Sequence, residues 1–528
     1  MRHVTAQTFI FRKPAPTVAE RLVAGKARRA NCPRTTLARW EPAPNRPDPV
    51  SIIEQQGTAR VAALLPIRYS RMSTSAFAFY RGTAALMAQD LASTDNTGLS
   101  AQLCGDAHVA NFGLFASPER SVVFDVNDFD ETYPGPFEWD VARLATSLLL
   151  AGRDNDFTTR QCEALTRLAV TSYREAMASF AQMSDLDIWY SRVDAGMLTA
   201  IGKAQAGIVA KTAITQGVRA AMQRDRWSAI RKLTISTDQG RRFVDQPPLL
   251  IPLGGDPAWW ELLSGSMTHY LETLPLDRQR LLSRYRAIDF AHKVVGVGSV
   301  GLRAYVILMQ GRDEQDLLVL QAKEAVASVV ATALPNASVP LHQGERVVDG
   351  QRLMQAATDI FLGWTTGPLG RDYYLRQLRD MKWSPDLSRM SPAGMRGLAV
   401  ACGQTLARAH ARSGDSVAMT GYLGSGDTFD DAMLEFARRY ADQVQTDFGA
   451  FQQALAEGRL QGTDDESATL TASLGAHIRT ALSPTLTLER VHQAQSATAQ
   501  HAPAQPAPLS DQPETSNPED PPSPNTPA

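Results

Sequence analysis

The stretch Cys104-Gly105-Asp106-Ala107-His108-Val109-Ala110-Asn111 decides how this chain is read, together with Phe124-Asp125-Val126-Asn127-Asp128-Phe129-Asp130 and then Trp139-Asp140. An Asp is followed five positions later by an Asn, and an apolar strand then ends in Asp-Phe-Asp. These residue types suit phosphoryl transfer. Asp106 can orient or deprotonate an attacking hydroxyl, while the Asn111 amide and the Asp128 carboxylate can hold Mg2+ on nucleotide phosphates. Oxygen ligands suit that hard cation.

Each of these residues also has a plainer reading. Gly-Asp is common in turns, and three carboxylates at a strand end can simply be solvated. His108 reads as a structural loop residue. Cys104 reads as a small buried residue, with no basic neighbour in sequence to activate its thiol. Asp140 reads as the N-cap of a helix carrying Val141, Leu144, Ala145 and Leu148 at helical spacing, a cap worth roughly 1 kcal/mol. Arg81, Arg376 and Arg379 read as surface or ion-pair residues, with phosphate contact the lesser reading.

Working outward, residues 122–128 alternate as a strand and Tyr133-Pro134-Gly135-Pro136 is a turn. Residues 75–92 read as a strand or turn entering a helix. Residues 155–285 are mainly helical in pattern, with a Pro/Gly break near 246–257. Helices are expected at about 345–361, 392–412 and 428–456, with a short strand at 373–378. Prolines at 14, 16, 33, 42, 44, 47 and 49 predict an extended arm at 1–70. The Ala/Pro/Gln/Ser-rich tail from 495 to 528 cannot bury enough apolar surface to fold. Between arm and tail, the expected division is a helical segment at 71–290, an antiparallel sheet at 291–385, and helices at 386–494 that complete the helical part.

Bulk properties bound the partners. The 528 residues are 44% hydrophobic and 20% charged, with a formal net charge of −2. That balance suits a globular chain and argues against nucleic-acid binding. Cys32, Cys104, Cys162 and Cys402 are scattered, so they predict reduced thiols in a cytoplasmic protein. No apolar run is long enough to span a membrane, and the basic N-terminus lacks the apolar core of a secretory signal.

A second stretch lies far along the chain: Gly296-x-Gly298-Ser299-x-Gly301, then Tyr305-Val306-Ile307-Leu308, then Leu317-Leu318-Val319-Leu320-Gln321-Ala322-Lys323. Taken alone it is a plain hairpin with a strand-end lysine. A dinucleotide-binding glycine turn must open a helix; here a strand follows. A glycine loop between antiparallel strands closes over phosphates in kinases, where the next strand carries a phosphate-binding lysine. Beside the first constellation, Gly296, Gly298, Ser299, Gly301 and Lys323 therefore predict an ATP site.

Two resemblances follow. Over roughly residues 15–460 the chain is similar to the bacterial family catalogued as domain of unknown function 2252. The matching stretches are Arg46–Val50, Phe77–Gly82, Gly105–His108, Asn127–Thr132, Gly350–Arg352 and Leu406–Asp415. Short motifs also resemble the aminoglycoside/choline phosphotransferase and kinase-like superfamily, whose His-Gly-Asp-x-His-x-x-Asn is similar to Cys104-Gly105-Asp106-x-His108-x-x-Asn111. That resemblance implies a base at Asp106 and metal ligands at Asn111 and Asp128, with Asp125 or Asp130 as alternatives to Asp128. It also implies that Asp140 braces the catalytic loop. Cys104 departs from the pattern, so the bonding inside the loop must differ. No acidic partner for Lys323 is evident; Glu345 and Asp349 lie in the next helix without compelling spacing.

Kinase chains run glycine loop, lysine, helix, catalytic loop, metal Asp. Here the catalytic loop comes first, and a circular permutation reconciles the two orders. The Leu406–Asp415 stretch resembles the helix that precedes a catalytic loop in antibiotic phosphotransferases. The expectation is an α+β, two-lobed kinase-like fold, circularly permuted, with a small antiparallel-sheet lobe and a large helical lobe. It would use ATP and Mg2+ to phosphorylate a small-molecule hydroxyl acceptor. The alternative is a nucleotide-binding, pseudokinase-like regulatory protein without turnover. The geometric consequence of the permutation is that Lys323 folds to near salt-bridge distance from Asp128.

Overall fold

The computed structural model describes residues 16–463, apart from 224–225, 239, 295–297, 299, 336, 339 and 379–381, together with 476 and 480. The tail expected at 495–528 lies outside the described residues.

Helices dominate the N-terminal end: α1 (Val18–Ala27), α2 (Pro49–Thr58), α3 (Leu65–Met72), α4 (Ala76–Arg81) and α5 (Ala84–Ala92). The extended arm is therefore corrected where it is described. Thr17 and Glu20 form a capping box at the start of α1, in a proline-free window between Pro16 and Pro33. Asp48 caps α2, with Pro49 at its first position. Arg46 then joins Asp90 of α5 (2.7 Å) to Asp447 (2.6 Å), so the first family-like stretch is structural. Residues 75–92 form two helices, α4 being started by the Ser75 hydroxyl, which accepts from Ala78 N–H.

The chain continues through β1 (Ser100–Leu103), β2 (Phe112–Ala116), β3 (Val122–Val126), β4 (Tyr133–Pro136), α6 (Phe137–Asp154), α7 (Thr159–Phe180), α8 (Asp185–Tyr190), β5 (Val193–Asp194), α9 (Ala195–Gln223) and α10 (Arg226–Leu233). Strands β1 and β4 pair, as do β2 and β3. Helix α6 begins at Phe137 with Pro136 at its cap position, so Asp140 lies in the first turn and is not the cap. Tyr133–Pro136, expected as a turn, is strand β4 and runs straight into the helix, which frees the Asp140 carboxylate for other partners.

Three short strands, β6 (Thr234–Thr237), β7 (Gly240–Phe243) and β8 (Leu250–Pro252), interrupt the stretch expected to be mainly helical. They precede α11 (Pro257–Glu272), α12 (Leu276–Leu282), β9 (Arg286–Lys293), β10 (Ala304–Gln310), β11 (Leu317–Glu324), α13 (Val329–Ala333), α14 (Gln343–Met354), β12 (Gly363–Thr366) and β13 (Asp372–Gln377). The six-stranded antiparallel sheet has the order β12-β13-β11-β10-β9-β8. It starts at Leu250, ahead of the boundary expected at 291. The chain ends, as described, with α15 (Pro392–Ala411), α16 (Ser416–Leu423) and α17 (Thr428–Ala456).

Strand alternation assigns the faces of the large sheet. Leu318, Leu320 and Ala322 of β11 pack with Trp259 and Tyr270 of α11. Leu317 and Val319 face the other way, with Val306 and Leu308 of β10. Gln321 and Lys323 share that second face, and in register beside them stand Arg376 and Tyr374 of β13. The largest core gathers α6, α7, α15 and α17 around β1–β4; each fully buried Leu or Phe there contributes roughly 1.5–3 kcal/mol.

Candidate functional site

The loop after β1 is built around Asp140. Its carboxylate accepts from Cys104 N–H (2.8 Å) and Gly105 N–H (3.1 Å). His410 of α15 reaches the same carboxylate through Nε2 at 3.2 Å, and its Nδ1 lies 2.9 Å from the Tyr173 hydroxyl. The altered bonding implied by Cys104 is thus supplied by an Asp and a His from two helices. Burial, then the nearby Asp140 charge, pushes the Cys104 thiol well above its ordinary value, which keeps it inert. Gly105 takes φ +77, and a Cβ there would lie 2.2 Å from the Glu131 carbonyl oxygen, so only glycine fits.

This turn presents Asp106. Arg143 Nε donates to Asp106 Oδ1 at 2.9 Å, and its Nη2 donates to the Tyr80 carbonyl at 2.7 Å. Arg143 stands three residues after Asp140, so one face of α6 both braces the loop and orients its carboxylate. His108 Nε2 lies 3.7 Å from Asp106 Oδ2. Burial pushes the His108 imidazole down to about 4 against the pull of Asp106, so it is neutral at pH 7. Asn111 Nδ2 donates to the carbonyls of Asp106 and Asp128, each at 3.1 Å. Those bonds tie the two motifs together and leave Oδ1 as the atom of the amide that could hold a metal.

The three carboxylates at the end of β3 separate by environment. Asp125 is spent on structure: Arg408 Nη2 donates to its Oδ1 at 2.6 Å, and Val126 and Ala356 N–H groups each donate to it at 2.9 Å. It is corrected as a candidate ligand. Asp130 accepts from the Tyr374 hydroxyl at 2.9 Å and pairs closely with Lys323. Asp128 keeps its side chain 40% exposed, while Lys323, 3.3 Å away, is only 4% exposed. Burial opposes the Lys323 charge, but Asp128 and Asp130 more than offset it and hold the ammonium above its ordinary range. Burial of Asp128 is likewise outweighed by Lys323, Arg376 and Lys382, which hold it low. Burial and the Asp128 charge push Asp130 up. The partner sought for Lys323 on the next helix is therefore found on the loop after β3. Helix α14 instead sends Arg346 to the carbonyls of Asp130 (2.8 Å) and Thr132 (2.6 Å).

Asp106, Asn111, Asp128, Lys323 and Gly298 line one cleft of about 1430 Å³. Gly301 takes φ +93 beside the Arg60 side chain, and its carbonyl accepts from Val61 N–H at 2.8 Å. Gly296 and Ser299 lie outside the described residues, as does Arg379. Nine arginines and lysines line the cleft against five carboxylates, which favours an anionic ligand. Arg81 and Arg376 are among them, correcting their reading as surface residues. Strand alternation carried the signal for Arg376, because Gln321 and Lys323 fall opposite Arg376 and Tyr374. Arg143 gave no signal, since its role depends on where α6 crosses the loop. Among the described residues no cluster of three or more His, Cys, Asp or Glu could hold a metal by itself. That donor set fits Mg2+ shared with phosphates, which needs one or two protein oxygens. No described helix is long and apolar enough to cross a membrane.

The chain matches the family model described as an uncharacterized protein conserved in bacteria, DUF2252, over residues 60–454, and it belongs to that family. No curated protein and no solved structure matches it.

Proposed function

For this member of the DUF2252 family, we propose an ATP-dependent, Mg2+-requiring phosphotransferase of kinase-like type that acts on a small-molecule hydroxyl. The observation that carries the reading is the convergence of Asp106, Asn111, Asp128 and Lys323 in one cationic cleft. The order of elements supports a permuted, two-lobed kinase-like fold. The loop of Gly298 and Gly301 joins β9 to β10, Lys323 lies on β11, and α14 follows before β12 and β13. Helix α15 then brings His410 to the Asp140 that holds the catalytic loop. On this reading they correspond to the elements of a kinase chain, with the catalytic loop and metal Asp moved to the front.

Asn111 and Asp128 would hold Mg2+, which supplies charge neutralisation and alignment of the phosphates. Lys323 would bind phosphate oxygens. Asp106, oriented by Arg143, would accept the proton of the acceptor hydroxyl. The acceptor oxygen bonds to the terminal phosphorus as the bond to the bridging oxygen breaks, its electrons leaving on the diphosphate. Titration calorimetry with millimolar ATP and Mg2+ tests the reading: wild type should bind and Lys323→Ala should not. Absence of binding to wild type overturns it. Binding without transfer to any acceptor would leave the regulatory pseudokinase-like alternative in its place.

A further inference from the structure

Arg81 ends α4, in the Phe77–Gly82 stretch shared with the family resemblance, and no described residue hydrogen-bonds its buried Nε. Its side chain lines the cleft with Asp106 and Gly298. Its backbone carbonyl oxygen lies 3.5 Å from where a Cβ on Gly298 would stand, so Gly298 rests against this residue. Its guanidinium carbon is 5.9 Å from the Phe77 ring centroid, and Phe77 in turn stands edge-on to His108 of the catalytic loop at 6.5 Å. Arg81 thus sits beside Gly298 on one side and, through Phe77, beside His108 of the loop that carries Asp106.

We propose that Arg81 is a built-in arginine that grips the terminal phosphoryl group of the nucleotide and stabilises the charge on it during transfer. This rests on the phosphotransferase reading and adds a catalytic residue to it. A phosphoryl group moving from nucleotide to an acceptor held by Asp106 must pass through the cleft that Arg81 lines with Asp106 and Gly298. Charge there is spread over equatorial oxygens, which a planar guanidinium can meet with two donors. Among the described residues this cation has no competing ion pair. Burial works against its charge, and Asp106, the charge that acts most in its favour, makes no ion pair with it and is engaged by Arg143. A buried guanidinium with an unused donor carries a desolvation cost that an entering phosphate would relieve.

The experiment compares Mg-ADP with a magnesium complex of a non-hydrolysable ATP analogue by calorimetry, on the full chain. Wild type should prefer the triphosphate by roughly tenfold to a hundredfold, the range of a charge-assisted bond. Arg81→Gln should keep its affinity for Mg-ADP and lose that preference. Arg81→Lys, which retains charge but not the two-pronged geometry, should lose part of it, and it carries the test if Arg81→Gln does not fold. An undiminished triphosphate preference in either folded variant overturns the proposal while leaving the phosphotransferase reading standing. Failure of wild type to bind either nucleotide overturns both.

Discussion

Lys323 Nζ stands 3.3 Å from Asp128 Oδ2 although the two are 195 positions apart in the chain. The lysine comes from the large antiparallel sheet and the aspartate from the loop after β3. Their meeting closes the cleft into one electrostatic unit, with Asp130 as the third member. Removing the ammonium would leave two carboxylates facing each other with no cation between them.

Lys323→Met should therefore do more than abolish nucleotide binding. The variant should be less stable than wild type at pH 8 and approach it toward pH 5. Asp130, already pushed up by burial and by Asp128, takes up a proton as pH falls and relieves the repulsion. Thermal melts of both proteins across that range check this; a constant difference in melting temperature would contradict it.

Asp106→Asn preserves shape and removes the proposed proton acceptor. Transfer should fall by roughly 10²–10⁴-fold, the usual weight of a general base, while Mg-ATP affinity stays within a few-fold of wild type. Steady-state kinetics paired with calorimetry separate the two effects.

Arg408 and Asp125 form an ion pair at 2.6 Å with both side chains 1% exposed. Arg408→Met leaves the Asp125 carboxylate buried and uncompensated, a change that costs about 3–5 kcal/mol. Adding Asp125→Asn to it should recover part of that loss. Urea unfolding of the single and double variants measures both quantities.

Glu138 is buried, with its two carboxylate oxygens accepting from the Thr97 N–H (2.7 Å) and hydroxyl (2.9 Å). Burial pushes its carboxyl from 4.5 up to about 7, with the Thr97 bonds opposing only part of that rise. Between those two values the folded state holds more protons than the unfolded chain, so this group's contribution to stability falls as pH rises from 4.5 to 7. Glu138→Gln should flatten the stability profile over that window. Glu131, pushed up by its own burial to about 7, keeps some slope in place. Denaturation midpoints of wild type and variant at several pH values decide it.

The elements most legible in the chain were those whose signal is local. The strands expected over 122–128 and 317–323 and the helices expected over 392–412 and 428–456 each appear in the structure at or near their expected bounds. The family was legible too, because its stretches are long. The N-terminal segment was misread because scattered prolines mask the capping box of Thr17 and Glu20. Asp140 was misread as a cap because Pro136 starts the helix one turn earlier.

Residue type and spacing by themselves determined which groups could do phosphoryl-transfer chemistry: Asp106, Asn111, Asp128 and Lys323. Only the tertiary structure decided what each of them faces. It assigned Asp125 to Arg408, Asp130 to Lys323 and Tyr374, and Asp140 to the loop amides and His410. It also brought Arg81, Arg143 and Arg376 to the site. The physical reason is that a strand's pleat or a helix's turn is dictated by neighbours in sequence. The partner of a buried charge is dictated by whichever element crosses it, and burial obliges that charge to find one.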